Sequence, residues 1–294
     1  MNVLFMAKET PSSIRSLKYL LSKRIDVTFA VLRPNDEQLQ NICREAKIPV
    51  GSEEDFLLRA EQLPPIEYLL SFYWKLVKPS TLKIPSKGSI NFHPGPLPEA
   101  RGSGYHAAIL NDWGYWGATA HYMDETFDTG NIICCERFPI PNDIVNRDLV
   151  RLAHLKTAEL FEKIIDRISA GEILQATVQP KGTYYSLKEL EQGKYIRADD
   201  STETIKRKIR AYWNPPYSGA KIVLNGSEYT VIDDAILKYI AGPDRTGSDQ
   251  IRSDQIRSDQ ISFIVTYFSM QVHFLKGGGR HETSDRDWDR RRVA

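Results

Sequence analysis

Asn91 and His93 stand two residues apart in the run Ser89-Ile-Asn-Phe-His-Pro94, so on an extended strand both side chains leave the same face. Pro94 removes a ladder donor and keeps His93 extended, which ends the strand there. An amide donor and an imidazole side by side at the C-terminal lip of a strand can polarise a carbonyl, hold its oxyanion and accept a proton. A carboxylate joins them from a second segment. Gly117-Ala-Thr-Ala-His121-Tyr-Met-Asp124 alternates as a strand does and runs into the turn Glu125-Thr-Phe-Asp128-Thr-Gly130. Asn91, His93 and Asp128 are the candidate catalytic set. One Asn, one His and one Asp call for no metal.

His121 shares a strand face with Thr119 and Met123, and reads equally as a core residue or as a neighbour of the set. The remaining histidines, among them His106, have no partner pattern. Lys206-Arg207-Lys208 and Arg210 resemble a phosphate patch, but on a helix their charges spread around the cylinder, which favours a solvated face. Trp213 and Tyr217, flanking Asn214-Pro-Pro, suit either stacking on a nucleotide base or anchoring by packing.

The paired motifs Asn91-x-His-Pro-x-x-Leu97-Pro-x-x-Arg101-Gly and Asp124-x-x-x-Asp128-Thr-Gly resemble the folate-dependent formyltransferase family, roughly from residue 2 to residue 235. The resemblance implies N10-formyltetrahydrofolate as formyl donor, a primary amine as acceptor, and catalytic roles for Asn91, His93 and Asp128. It implies that the donor meets Tyr73, Trp74, Leu97, Arg101, Gly102, Asp124 and Glu125. The acceptor would meet Lys8, Lys75, Pro94, Gly95, Tyr105, Trp213 and Tyr217.

Asn91-Phe-His-Pro-Gly-Pro-Leu-Pro, Ala120-His-Tyr-Met-Asp-Glu and Arg137-Phe-Pro-Ile are most similar to the sugar N-formyltransferases. The implied acceptor is therefore a dTDP- or GDP-linked amino deoxysugar of surface polysaccharide (lipopolysaccharide, O-antigen) synthesis. The implied setting is a cytoplasmic homodimer with no nucleic-acid partner. A methionyl-tRNA formyltransferase is the alternative. From another class, a non-catalytic folate- or nucleotide-binding protein on the same fold stays open.

The composition agrees with a globular enzyme. Hydrophobic residues make up 41% and charged residues 26% of the 294, with a formal net charge of +1, so no overall field draws the chain to nucleic acid or an acidic membrane. The opening run Met1–Met6 is too short for a signal sequence, and no stretch reaches a membrane-spanning length. Cys43 and the vicinal Cys134-Cys135 offer neither metal spacing nor a disulfide framework.

These groups need a scaffold to converge. Strand patterns at Asn2–Ala7, Val27–Leu32, Ile48–Val50, Glu67–Phe72, Ser89–His93 and Gly117–Met123 alternate with helical ones at Ser12–Ser22 and Glu37–Ala46. Such alternation predicts an α/β, Rossmann-like, mainly parallel sheet. No Gly-x-Gly-x-x-Gly follows the first strand, which argues against a nicotinamide dinucleotide. A long amphipathic helix is predicted over Val145–Ala170, and residues 172–200 read as a connector. Residues 1–200 are expected to form the catalytic domain. Residues 201–241 are expected to form a small unit of helix Thr202–Ala211 and hairpin Lys221–Asp233, turned at Asn225-Gly226. Beyond, 242–294 hold the tandem Ser-Asp-Gln-Ile repeat from Ser248 and a polar end, read as a disordered tail, and within them the apolar, β-prone run Phe263–Leu275 reads as a packing or dimer strand or as an exposed sticky segment.

Overall fold

The computed structural model describes residues 1–73, 75–215, 219–236, 261–267 and 270–276. The chain divides into two compact units, Met1–Gly193 and Lys194–Ala294, so the boundary falls slightly before the expected 200.

In the first unit, β1 (Asn2–Ala7), β2 (Asp26–Val31), β4 (Tyr68–Phe72) and β5 (Gly88–His93) are almost wholly buried, which is why they read as continuous apolar runs rather than alternating ones. With β3 (Val50–Gly51), β7 (Tyr115–Tyr122) and β8 (Ile132–Pro139) they make one sheet in the order β3-β2-β1-β4-β5-β7-β8. Pairing is parallel from β3 to β5 and antiparallel between β5, β7 and β8. The mainly parallel α/β sheet is thus observed.

Helices cover both faces. Helix α1 (Pro11–Ser22) starts at a Thr10/Ser13 capping box with Pro11 in its first turn. Its Leu17 and Leu20 pack with Leu160, Phe161, Ile164 and Ile165 of α6 (Asn146–Ser169), and α2 (Glu37–Glu45) adds Leu39 and Cys43 to the same layer. On the opposite face Phe56 of α3 (Glu53–Arg59) meets Phe29, Leu4, Met6 and Leu69. Phe72 and Phe92, at the ends of β4 and β5, stack at 5.3 Å, and Phe161 meets Phe92 edge-on at 4.7 Å. This aromatic wedge fixes the floor on which the C-terminal lip stands.

Short elements frame that lip: α4 (Pro79–Leu82), α5 (Tyr105–Leu110), and a parallel pair between β6 (Arg101–Gly102) and β9 (Tyr184–Tyr185), followed by α7 (Leu187–Gly193). None of the helices crosses a membrane, since no helix among the described residues is long and apolar enough.

The second unit contains α8 (Thr202–Tyr212), capped by Ser201, and the hairpin β10 (Lys221–Leu224)–β11 (Ser227–Asp233). Asn225 and Gly226 both have positive φ, 49° and 75°, as the predicted turn requires. Within the segment read as a tail, the apolar run Phe263–Leu275 takes the packing-strand reading. Ile261–Tyr267 (β12) and Met270–Lys276 (β13) form strands, and β13 pairs with β11 to give the sheet β10-β11-β13-β12. The physical reason is that β11 would otherwise present an unpaired ladder edge, and the apolar, β-prone run supplies its partner. The body of the repeat lies outside the described residues.

Candidate active site

Strand β5 delivers Asn91 and His93 to the lip, and the antiparallel register with β7 sets Asn91 opposite His121 and His93 opposite Thr119. Asn91, His93 and His121 are only 9, 7 and 2% exposed, so protein contacts rather than solvent decide how they point. Asp128 arrives from the turn after β7, in the left-handed region at φ 54°, a conformation Asp tolerates better than most residues.

The carboxylate of Asp128 gathers the set. Its Oδ2 accepts the Gly102 backbone N–H at 2.9 Å and lies 3.5 Å from His93 Nδ1. Its Oδ1 lies 3.5 Å from Asn91 Nδ2 and 3.6 Å from His121 Nε2. Asn91, His93 and Asp128 are therefore brought together as the spacing predicted, and His121 joins them. Burial alone would raise the Asp128 pKa. The charge of His93, the hydrogen bond and charge of His121 and the Gly102 N–H outweigh it and hold the group well below the usual carboxylate range.

The backbone assigns the imidazole tautomers. His93 Nε2 lies 2.7 Å from the Ala100 carbonyl, so it carries hydrogen and donates, which leaves Nδ1 as the basic nitrogen facing Asp128. His121 Nδ1 donates to the Tyr122 carbonyl at 2.8 Å, and its Nε2, 3.2 Å from Asn91 Nδ2, also faces Asp128 Oδ1 at 3.6 Å, so it accepts from the amide in the neutral ring and donates to the carboxylate in the charged one. The amide hydrogens of Asn91 are thus held by long contacts that an incoming oxygen could replace. Behind them, buried Thr119 donates to the Gly95 carbonyl at 2.8 Å and accepts the Leu97 N–H at 3.1 Å, while Trp116 Nε1 donates to the Pro94 carbonyl at 2.9 Å. The loop after His93 is pinned from β7.

Asn91, His121 and Asp128 open onto a small cleft. Tyr73, Leu76, Val77, Met123 and Phe127 give it apolar walls; Lys75, Asp124 and Thr126 add polar ones. Burial pushes the Tyr73 phenol up to about 12, so at neutral pH it is a donor. Asp124 accepts from the Thr126 N–H at 3.0 Å and from Thr129 Oγ1 at 2.7 Å, which ties the turn together. His93 is not in the wall: it backs Asp128 from the protein side.

The other expected contact residues divide. Tyr73, Lys75 and Asp124 line the cleft. Pro94, Gly95, Leu97 and Gly102 shape its support through the backbone bonds above. Lys8 follows β1 and Glu125 is exposed, and neither forms part of the wall. Tyr105 stacks on Trp116 at 5.1 Å in a buried setting that pushes its phenol up, so it packs rather than faces the cleft. Arg101 turns away from the cleft, and its guanidinium binds Gln179. In the second unit Trp213 is 4% exposed, with Gly219 against its ring, so packing replaces the base-stacking reading. Trp74 and Tyr217 lie outside the described residues. No His, Cys, Asp and Glu cluster among the described residues could hold a metal ion.

Two participants escaped the sequence reading. Thr119 was seen only as a strand residue, and Gln179 lies in what read as a connector with no motif to mark it. The β5–β7 register that brings Thr119 under the loop, and the bridge pairing Ile132 with Thr177 that delivers Gln179, are long-range pairings.

Known proteins share this arrangement's sequence and fold. The sequence profile described as Formyl transferase matches residues 51–166. The GDP-perosamine N-formyltransferase of Brucella melitensis biotype 1 is 30% identical over 182 residues, covering 62% of this chain and 70% of the relative. A methionyl-tRNA formyltransferase of Syntrophomonas wolfei is 25% identical over 248 residues, 79% of this chain and 78% of its own. Among solved structures, an N-formyltransferase from Helicobacter canadensis in complex with folinic acid and dTDP-3-aminofucose has the same fold, with a TM-score of 0.64, 22% identity and coverage of 94% of this chain and 99% of that one. The two motifs that supply Asn91, His93 and Asp128 both fall inside the matched profile, and the chain belongs to the formyl transferase family.

Proposed function

We propose that the chain transfers a formyl group from N10-formyltetrahydrofolate to the amine of a dTDP- or GDP-linked amino deoxysugar. One observation carries the reading: Asn91, His121 and Asp128 share the wall of one cleft, with His93 directly behind Asp128.

The cleft suits the donor. Tyr73, Val77, Met123 and Phe127 are apolar walls for a flat ring system, and Asp124 and Thr126 offer hydrogen-bonding edges. Bound there, N10-formyltetrahydrofolate supplies an activated formamide carbonyl. Asn91 would turn an N–H from its long contacts with His121 and Asp128 onto an oxyanion, a donation worth roughly 3–4 kcal/mol of barrier. The attacking amine would release its proton through Asp128, which faces the cleft, to His93 Nδ1 3.5 Å behind it, and the carboxylate would stabilise the imidazolium that results. Asp128, kept ionised, would also orient both imidazoles.

A nucleotide sugar is favoured over tRNA by the Brucella relative and by the net charge of +1, since a tRNA partner depends on many phosphate contacts. A cytoplasmic homodimer serving surface polysaccharide synthesis is the setting that goes with this reading. The test supplies N10-formyltetrahydrofolate with dTDP- and GDP-amino sugars or, in parallel, with methionyl-tRNA. The expected result is a sugar nucleotide heavier by one formyl group. Formylation of the tRNA alone would move the assignment to tRNA, and thermal stabilisation by a folate analogue with neither product would point to a binding protein.

A further inference from the structure

We propose that Gln179 is a positioning residue for formyl transfer: its carboxamide clasps the backbone of the Asp128 turn, and Arg101 holds that carboxamide in place. The inference rests on the formyl-transfer reading of the Asp128 site.

Gln179 Nε2 donates to the carbonyl of Asp128 at 3.0 Å and to that of Gly130 at 2.7 Å. Its Oε1 accepts from Arg101 Nε at 3.0 Å and Nη2 at 2.7 Å. A carboxamide has two N–H donors and one oxygen with two lone pairs, and all four valences are met here. The partners also fix its orientation, because the guanidinium can only donate and the carbonyls can only accept. Arg101 Nη2 makes a further bond to the Pro180 carbonyl at 3.0 Å, so arginine grips side chain and backbone of the same segment.

The clasp acts on the residue that most needs holding. Asp128 has φ 54°, and its turn closes so tightly that a Cβ on Gly130 would sit 1.8 Å from the Tyr122 carbonyl oxygen. Nothing covalent forces the carboxylate toward Asn91, His93 and His121. Two neighbours on β6 do so instead: Arg101, through Gln179, fixes the Asp128 main chain, and Gly102 N–H fixes its carboxylate. Gln179 itself is delivered by the paired hydrogen bonds between Ile132 and Thr177, 2.9 and 2.8 Å. The segment after α6 is therefore a strap across the rim of the site.

Gln179→Met keeps the length of the side chain and removes every hydrogen bond. Gln179→Glu keeps the acceptor for Arg101 but sets a carboxylate oxygen against two carbonyls. A displacement of about 1 Å near the chemistry can cost about 100-fold, so both variants are expected to lose between about 10- and 100-fold in kcat, with KM for donor and acceptor within about threefold of wild type. The acid limb of the rate profile supplies a second readout. The groups facing Asp128 are His93 from β5, His121 from β7, the Asn91 amide and the Gly102 N–H. Loosening the turn weakens these contacts while burial persists, so a limb set by Asp128 should move up. A folded Gln179→Met protein with wild-type kcat and limb overturns the proposal. Should that variant fail to fold, Arg101→Lys, which retains one donor for Gln179, decides: a smaller loss in the same direction supports the clasp, an unchanged profile overturns it. Amide hydrogen exchange across residues 124–130 gives an arm independent of turnover. Faster exchange in the variants supports the clasp and unchanged exchange overturns it, even if wild type proves to transfer no formyl group and the activity reading falls instead.

Discussion

A carboxylate removed from water is costly to ionise, and two imidazoles with a backbone N–H can offset that cost. Asp128 sits at this balance, with the partners winning. Its depressed pKa means that the stability it contributes is fully present above the unfolded carboxylate value and is lost as pH falls through the folded one. Replacing Asn91 or His93 by Ala is expected to lower kcat by roughly 10² or more, by loss of an oxyanion donor and of a proton acceptor. Near wild-type turnover in either variant would sink the role assigned to it. His106 works in the opposite sense. Burial pushes its imidazole down to about 4, against the Ser103 backbone bond and the charge of Glu189, which favour the cation. The unfolded chain therefore binds a proton that the folded one refuses between pH 6.5 and 4, and stability falls across that window as pH drops. Shown as urea midpoints, His106→Gln should flatten the decline by an amount on the order of 3 kcal/mol at its acid end; parallel curves for the two proteins would refute it. The sequence made Asn91, His93 and Asp128 legible because two local motifs carry them. It left His121 undecided, because strand periodicity tells which residues share a face and not which end of the sheet that face reaches.

Elements, rather than loops, hold this loop-built site. The segment 94–102 has almost no secondary structure, yet its carbonyls and N–H groups are met by Thr119 and Trp116 of β7 and by Asp128. Thr119 is fully buried and serves both a donor and an acceptor of that loop. Thr119→Val has nearly the same shape but strands both backbone groups, each worth about 1–3 kcal/mol when buried and unpaired. The variant should lose stability of that order, and kcat more than KM, because His93 is held through Ala100 of the same loop. A chemical denaturation midpoint equal to wild type would show that water replaces the hydroxyl. Strands β1, β2, β4, β5 and β7 and helices α1, α2, α6 and α8 were readable from apolar patterning. The short α3, α4 and α5 and the two-residue pair β6–β9 were not, since so few residues carry no period and only distant partners stabilise them.

At the scale of the molecule, the hairpin β10–β11 shows how a correct local reading leaves a whole incomplete. Its turn and both strands were evident in the sequence, but the partner of β11 lies beyond a polar repeat, and composition marked the run Phe263–Leu275 as β-prone without naming what it pairs with. Pairing of Thr230 with Leu275 and of Asp233 with Val272 joins the two across that interval. Such closure is entropically affordable because the cost of a loop grows only logarithmically with its length. A chain ending at residue 243 would keep β10 and β11 and lose β12 and β13. The four-stranded sheet would become an isolated two-stranded hairpin, which is marginal in water, with the outer ladder of β11 open to solvent or to other chains. Amides of Thr230 and Ile232, which face away from β10 because the Val231 N–H is the one bonded to Ala220, are therefore expected to exchange far faster in the shortened chain than in the full one, and the product to self-associate as concentration rises. Retained protection at those amides with a monomeric product would mean that β13 adds nothing to the hairpin, and that the ladder between Tyr229 and Lys276 is a contact without consequence.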